Sequence, residues 1–247
     1  MTNVKMEMTC NSEDCYLRFT QGWLRQALIS LSIFFLLIST TDAQPLTSNE
    51  TGFHEGYYYS FWKDSGDASF TLLSGGRYAS QWNNSTNNWV GGKGWNPGGP
   101  KIVSYEGDFG VSSSQNAFLA LYGWTRNPLI EYYVIESYGS YDPSNCSNGE
   151  DFGNFQSDGA TYNVRRCLRV NQPSIEGIRT FYQYFSIRTP KKGFGNVSGT
   201  VTVANHFNYW ASQGLNLGNE SPRVCRRLIF LRELAYEQTI WILPRST

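Results

Sequence analysis

Leu129-Ile130-Glu131-Tyr132-Tyr133-Val134-Ile135-Glu136-Ser137-Tyr138 is an unbroken run of apolar and aromatic residues with a carboxylate near each end. β-Branched and aromatic side chains fit a pleated, half-buried surface, so the run reads as a strand. Side chains alternate along a strand, which puts Glu131, Tyr133 and Ile135 on one face and Tyr132, Val134 and Glu136 on the other. Arg126-Asn127-Pro128 before it supplies turn chemistry, and Leu121-Tyr122-Gly123-Trp124 lies just upstream of that turn. One sheet face can therefore carry Tyr122, Glu131 and Tyr133 together. A carboxylate among phenols there is either a solvated strand glutamate or, if buried, one that must be hydrogen-bonded.

The same texture extends outward in both directions. Short alternating runs at 56–63, 68–74, 101–111, 117–125, 160–171, 180–189 and 198–204 are separated by Asp64-Ser65-Gly66-Asp67, Asn96-Pro97-Gly98-Gly99-Pro100 and Ser157-Asp158-Gly159. Strands at this spacing, with turns between them, predict a sandwich or barrel and exclude βαβ units. One segment departs from the pattern. Residues 205–214 place His206, Tyr209, Trp210 and Gln213 at i, i+3, i+4 and i+7, a single amphipathic helix stopped by Gly214. His206 is expected there as a core-facing, hydrogen-bonded histidine.

Composition narrows the class. The 247 residues carry formal net charge zero, which argues against nucleic acid or an anionic membrane as partner. The 16 Tyr and 8 Trp suit an all-β scaffold, and either fill its core or offer faces on which sugar rings stack. Leu28 to Ile38 is an uncharged apolar run after Arg25 and before Thr41-Asp42-Ala43, the pattern of a signal peptide over 1–43; eleven residues are short for a membrane span. Secretion is expected, with an uncleaved anchor as the alternative and 44–55 as a short linker. Cys146 and Cys167, 21 apart, look like a hairpin-stapling disulfide of an oxidising compartment, while Cys225 is left odd. With no CxxC and only two His, neither a metal nor another cofactor is expected. Asn49, Asn83, Asn84, Asn145, Asn196 and Asn219 open glycosylation sequons.

Pro128 to Glu136 (PLIEYYVIE) is similar to the nucleophile signature of family 11 xylanases. It is joined in order by Trp89-VGGKGW, Leu121-YGWTRNP, Arg169-VNQPSI, Thr180-FYQYFSIR and Ala204-NHFNYWASQGLNLG, so the resemblance covers 52–218. It implies a β-jelly roll sandwich of two antiparallel sheets with one α-helix, and a thumb hairpin above a cleft. It also implies a retaining endo-1,4-β-xylanase, expected to be monomeric and to have xylan as its partner. By the same resemblance Glu131 is the nucleophile, Tyr122 and Tyr133 bond the sugar and the nucleophile, and Trp62 stacks on a xylose. Arg169 and Gln183 line the cleft, Pro173 belongs to the thumb tip, and Asn88 stands beside the acid/base, where asparagine goes with near-neutral pH optima.

Retaining cleavage needs a second carboxylate about 5–5.5 Å from the first. The family places it about ten residues beyond the glycine that Gly218 resembles, yet position 228 here is Leu. Glu233 and, more weakly, Glu237 are the nearest candidates. Residues 219–247 are thus expected to be an atypical tail that leaves the acid-bearing strand absent and its neighbours partly unpaired. A chain without that acid would be an impaired xylan-binding pseudoenzyme, the alternative to an active xylanase. A jelly-roll glucanase or lectin is disfavoured by PLIEYY together with QPSI.

Overall fold

The computed structural model describes the backbone of residues 8–11, 14–17, 44–83, 85–218, 226–233 and 238–245, with side chains for 44–83 and 85–218. The signal-peptide run 28–38 lies outside the described residues. Two compact units are present, 1–42 and 43–247. In the first, β1 (Met8–Asn11) and β2 (Asp14–Leu17) form an antiparallel pair.

The second unit contains β3 (Glu50–His54), β4 (Tyr57–Lys63), β5 (Ala68–Leu72), β6 (Tyr78–Trp82), β7 (Asn88–Trp95), β8 (Ile102–Phe109) and β9 (Ala117–Thr125). It continues through β10 (Ile130–Tyr138), β11 (Glu150–Ser157), β12 (Ala160–Ser174), β13 (Gly177–Thr189) and β14 (Gly195–Thr202) to α1 (Val203–Ser212), β15 (Arg226–Glu233) and β16 (Gln238–Arg245). The strands form a nine-stranded sheet, β11-β12-β13-β10-β9-β15-β7-β4-β3, and a five-stranded sheet, β14-β8-β16-β6-β5. This is the all-β jelly roll with one helix among the described residues.

The two sheets share an aromatic core. Phe61 of the larger sheet stacks on Phe70 of the smaller at 5.9 Å, and Trp89 meets Trp82 at 5.1 Å. Burial of such side chains supplies most of the driving force, about 25 cal/mol per Å² of apolar surface. On β10 the residues Ile130, Tyr132 and Val134 enter this core, as alternation requires. Helix α1 closes one side: Tyr132 meets Phe207 at 5.3 Å and Trp210 at 5.9 Å. The helix stops where Gly214 takes φ +74°, a conformation glycine adopts at little cost.

Four expectations need correction. First, the sheets are not wholly antiparallel: β10 and β13 run parallel. A parallel pair needs a long crossover, and the loop, β11 and β12 between them provide it. Second, 44–55 is not a loose linker. β3 pairs with β4, and Leu46 exchanges backbone hydrogen bonds of 2.8 and 2.9 Å with Phe70. Third, the expected unpaired neighbours are paired: β15 pairs with β7 and β9, and β16 with β6 and β8. Backbone pairing asks only for an extended chain, and the Leu228-Ile229-Phe230-Leu231 run has that propensity. Fourth, His206 faces the core, but neither ring nitrogen has a hydrogen-bond partner among the described residues. Tyr162 and Phe155 contact it edge-on at 4.6 and 5.1 Å instead.

Burial in that aromatic box pushes His206 down to about 3. A base whose folded value is depressed contributes stability that is complete above its unfolded value and fades as pH falls toward the folded one. Wild-type stability should therefore fall by up to about 1.4 kcal/mol per pH unit between roughly pH 6 and pH 3 through this residue. Chemical denaturation across that range should show a shallower fall in His206→Phe; identical slopes would remove His206 as the cause.

Candidate active site

Three neighbouring strands build the site on the face of the large sheet turned away from the core. Glu131 on β10 is paired with Trp124 on β9 and with Gln183 on β13, while Tyr133 is paired with Tyr122. Directly opposed residues share a face, so these side chains meet. Tyr122 donates its hydroxyl to Glu131 Oε1 at 2.7 Å, and Gln183 donates Nε2 to Oε2 at 2.6 Å. The Tyr133 hydroxyl and the positive charge of Arg169 on β12 both act on the same carboxylate and favour its ionised form. Trp124, passed over in the sequence, donates Nε1 to Tyr122 Oη and so fixes the phenol from behind.

Glu131 is only 7% exposed. Burial pushes its pKa above the ordinary value, and the bonds from Gln183, Tyr122 and Tyr133 together with Arg169 oppose that rise. Its floor is apolar: Tyr133 stacks on Phe185 at 5.0 Å and packs against Tyr122 at 4.9 Å. The other carboxylate of the strand, Glu136, has a different fate. It points into the core, where Tyr105 donates to Oε2 at 2.5 Å, Tyr162 donates to Oε1, and Arg188 Nε stands 3.7 Å away. Glu136 is a sealed structural carboxyl, raised by burial, while Glu131 lies on the outer face.

The remaining expected site residues fall at varying distances from this centre. Arg169 and Pro173 are exposed on β12, in the long hairpin formed with β13. The hairpin tip is held to the β9–β10 turn, where Arg126 pairs with Glu176 at 2.8 Å. Trp62 is half-buried on β4 opposite Val90, and Asn88 begins β7 with its backbone N–H on Asp64 Oδ1 at 2.8 Å. Both lie beyond β15, which separates β7 from β9.

The register of β15 bears on the second carboxylate. Arg227 stands opposite Tyr122, whereas Glu233 stands opposite Asn88, six residues further along. At about 3.3 Å per residue that is roughly 20 Å of strand. In this register Glu233 is too far along β15 to sit about 5–5.5 Å from Glu131. Glu237 lies outside the described residues.

A profile of the family Glycosyl hydrolases family 11 matches residues 54–226. Endo-1,4-beta-xylanase Xyn11B of Cellvibrio japonicus is 72% identical over 190 residues, covering 76% of this chain and 53% of that protein. A bifunctional xylanase/xylan deacetylase of the same organism is 73% identical over 186 residues, 75% of this chain and 28% of its own length. An endo-1,4-beta-xylanase of the beetle Phaedon cochleariae is 59% identical over 196 residues, 78% of this chain and 90% of its own. This chain belongs to glycosyl hydrolases family 11. It spans about half the length of the first of these relatives and about a quarter of the second.

For a family 11 chain the outer-face cluster was partly legible beforehand. Alternation and motif brought Tyr122, Glu131 and Tyr133 together, and the structure adds the Gln183 bond and the Arg169 charge. Trp124 could have been found from the same alternation, since it shares Tyr122's face. Arg126 could not, because its partner lies 50 positions away.

The raised pKa of Glu131 makes a stability statement that needs no substrate. A carboxyl raised in the folded state contributes stability that is complete below its unfolded value and lost as pH rises through the folded one. Glu131→Gln removes the buried charge, so at pH 7 it should be more resistant to thermal unfolding than wild type. The advantage should vanish near pH 3.5, and an advantage that persists there would mean that the charge is not its source.

Proposed function

We propose that this chain is a secreted, retaining endo-1,4-β-xylanase that cleaves internal bonds of xylan, with Glu131 as nucleophile. The observation that carries the reading is the Glu131 cradle: an oriented carboxylate on an open sheet face, fixed by Tyr122, Tyr133 and Gln183, in a family 11 chain. Curated relatives named endo-1,4-beta-xylanases share 59–72% of the aligned residues and support the same substrate. The aromatic surroundings suit a neutral sugar polymer, with Trp62 as a stacking face for a xylose and Arg169, Pro173 and Gln183 along the cleft.

In the double displacement, Glu131 attacks the anomeric carbon as the glycosidic C–O bond breaks; the leaving sugar departs as an alcohol with a proton taken from an acid or from water, and water then hydrolyses the glycosyl-enzyme ester and frees the Glu131 carboxylate. The hydroxyls of Tyr122 and Tyr133 and the amide of Gln183 direct the carboxylate lone pairs and hold its position between the two steps. The ionised form is the reactive one, so burial sets the acid limb of activity above the ordinary carboxylate range. Asn88, by the family resemblance the residue beside the acid/base, goes with a near-neutral optimum.

Leaving-group protonation is separable from nucleophilic attack. An aryl β-xylobioside with an acidic phenol departs without a proton donor, so its cleavage reads Glu131 alone, whereas reducing-sugar release from xylan reads both steps. Glu131→Gln should lower turnover of the aryl substrate on the order of 10³-fold or more while xylan binding persists. A variant that keeps a tenth of wild-type turnover would overturn the nucleophile assignment.

A further inference from the structure

Cys167, Gln183 and Glu131 stand in one row across three adjacent strands. Cys167 is the register partner of Gln183 between β12 and β13, and Gln183 is the partner of Glu131 between β13 and β10. Opposed residues point to the same face with Cβ atoms about 4.5–5.5 Å apart. The Gln183 amide is thus flanked by Glu131 on one side and by Cys167 on the other.

Cys167 is bonded to Cys146 of the 139–149 connection, which leaves the end of β10. That connection is itself shaped. Asp142 Oδ1 accepts from the backbone and hydroxyl of Ser144 at 2.9 and 2.8 Å, Tyr141 donates to Asn145 O at 2.7 Å, and Gly149 N–H donates to Cys146 O at 3.1 Å. Asn148 Nδ2 donates to Leu168 O on β12 at 2.9 Å, directly after the bonded cysteine. Cys167 is 1% exposed and packs in the outer-face cluster with Tyr133, Phe181 and Phe185, with Cys146 against the same cluster. A glutamine side chain otherwise has three rotatable bonds, and fixing them costs rotamer freedom. A rigid neighbour that fills the space on the side away from Glu131 reduces that freedom before any substrate arrives.

We infer that the Cys146–Cys167 disulfide is a positioning element for the nucleophile, acting through Gln183: it walls in the amide so that Nε2 stays on Glu131 Oε2. The inference rests on Glu131 as the functional carboxylate, but its test does not require turnover. Among the described residues, the groups facing Glu131 are Tyr122 from β9, Tyr133 from β10, Arg169 from β12 and Gln183 from β13. Of these, the Gln183 bond is the largest influence opposing the rise caused by burial. If the disulfide is removed, Gln183 disengages for part of the time and the carboxyl holds its proton to higher pH.

The experiment is a carbon-13 NMR titration of the Glu131 side-chain carboxyl in the full chain. The comparison set is wild type, Cys146→Ala/Cys167→Ala, Gln183→Met and the triple variant, with dithiothreitol-reduced wild type as a second route to the open form. The disulfide-free and reduced proteins should titrate about half a unit or more above wild type, in the direction of Gln183→Met. The triple variant should match Gln183→Met alone. An unchanged Glu131 titration in the folded reduced protein, or an additional shift of the same size in the Gln183→Met background, would overturn the inference and leave the bridge a structural staple. Failure of the nucleophile reading would appear elsewhere, as aryl xylobioside turnover surviving Glu131→Gln with the disulfide intact.

Discussion

Glu131 keeps its carboxylate almost out of water, and everything around it follows from what that requires. An ionised carboxylate moved from water into a protein interior loses several kcal/mol of hydration unless donors replace it. Here the donors come from β9, β10 and β13, so the demand extends to the register of three strands. A slip of one residue in any of them would turn Tyr122 or Gln183 to the other face and leave the charge bare. The parallel pairing of β10 with β13 has the same origin in geometry. It brings Gln183, 52 positions away, level with the glutamate.

Glu136 shows that this is a property of environment and not of residue type. It lies five positions along the same strand, is also raised by burial, and also takes two tyrosine hydroxyls. Its neighbours, however, include Arg188, and it faces the space between the sheets. Between Ile135 and Ser137 the pairing with β9 shifts, a bulge that lets Glu136 remain inward while Tyr138 returns to the outer face. One carboxylate is stored between the sheets; the other lies on the outer face of the large sheet, nearly buried, with its lone pairs already directed.

Much of this was readable from the chain because it depends on short-range alternation. The strand from 130 to 138, the shared face of Tyr122, Glu131 and Tyr133, the single helix and the Cys146–Cys167 pairing all follow from residues close in sequence or from motif order. What was not readable depends on long-range partners. The inward turn of β3 onto β4 rests on pairings such as Thr51 with Ser60 and on the Leu46–Phe70 bridge, neither of which marks its own sequence. That His206 has no hydrogen-bond partner among the described residues likewise depends on Phe155 and Tyr162 from other strands, whose rings surround the imidazole where a partner was expected.

The residues after Gly218 separate what a fold needs from what chemistry needs. Gly218 itself is pinned: a Cβ there would stand 2.2 Å from Arg126 O and 2.4 Å from Pro128 O, so its backbone packs directly against the turn that precedes β10. From there β15 completes the ladder between β7 and β9 with residues that bear little resemblance to the expected strand. Main-chain hydrogen bonds do not read side chains, so a slot in a sheet accepts any segment with adequate propensity. A general acid is not so permissive, because a shift of a few residues moves it by several times the spacing that retention requires. The jelly roll can therefore close around an unfamiliar strand, while the half of the site that depends on Tyr122, Tyr133 and Gln183 stays intact because all of it is encoded before that strand begins.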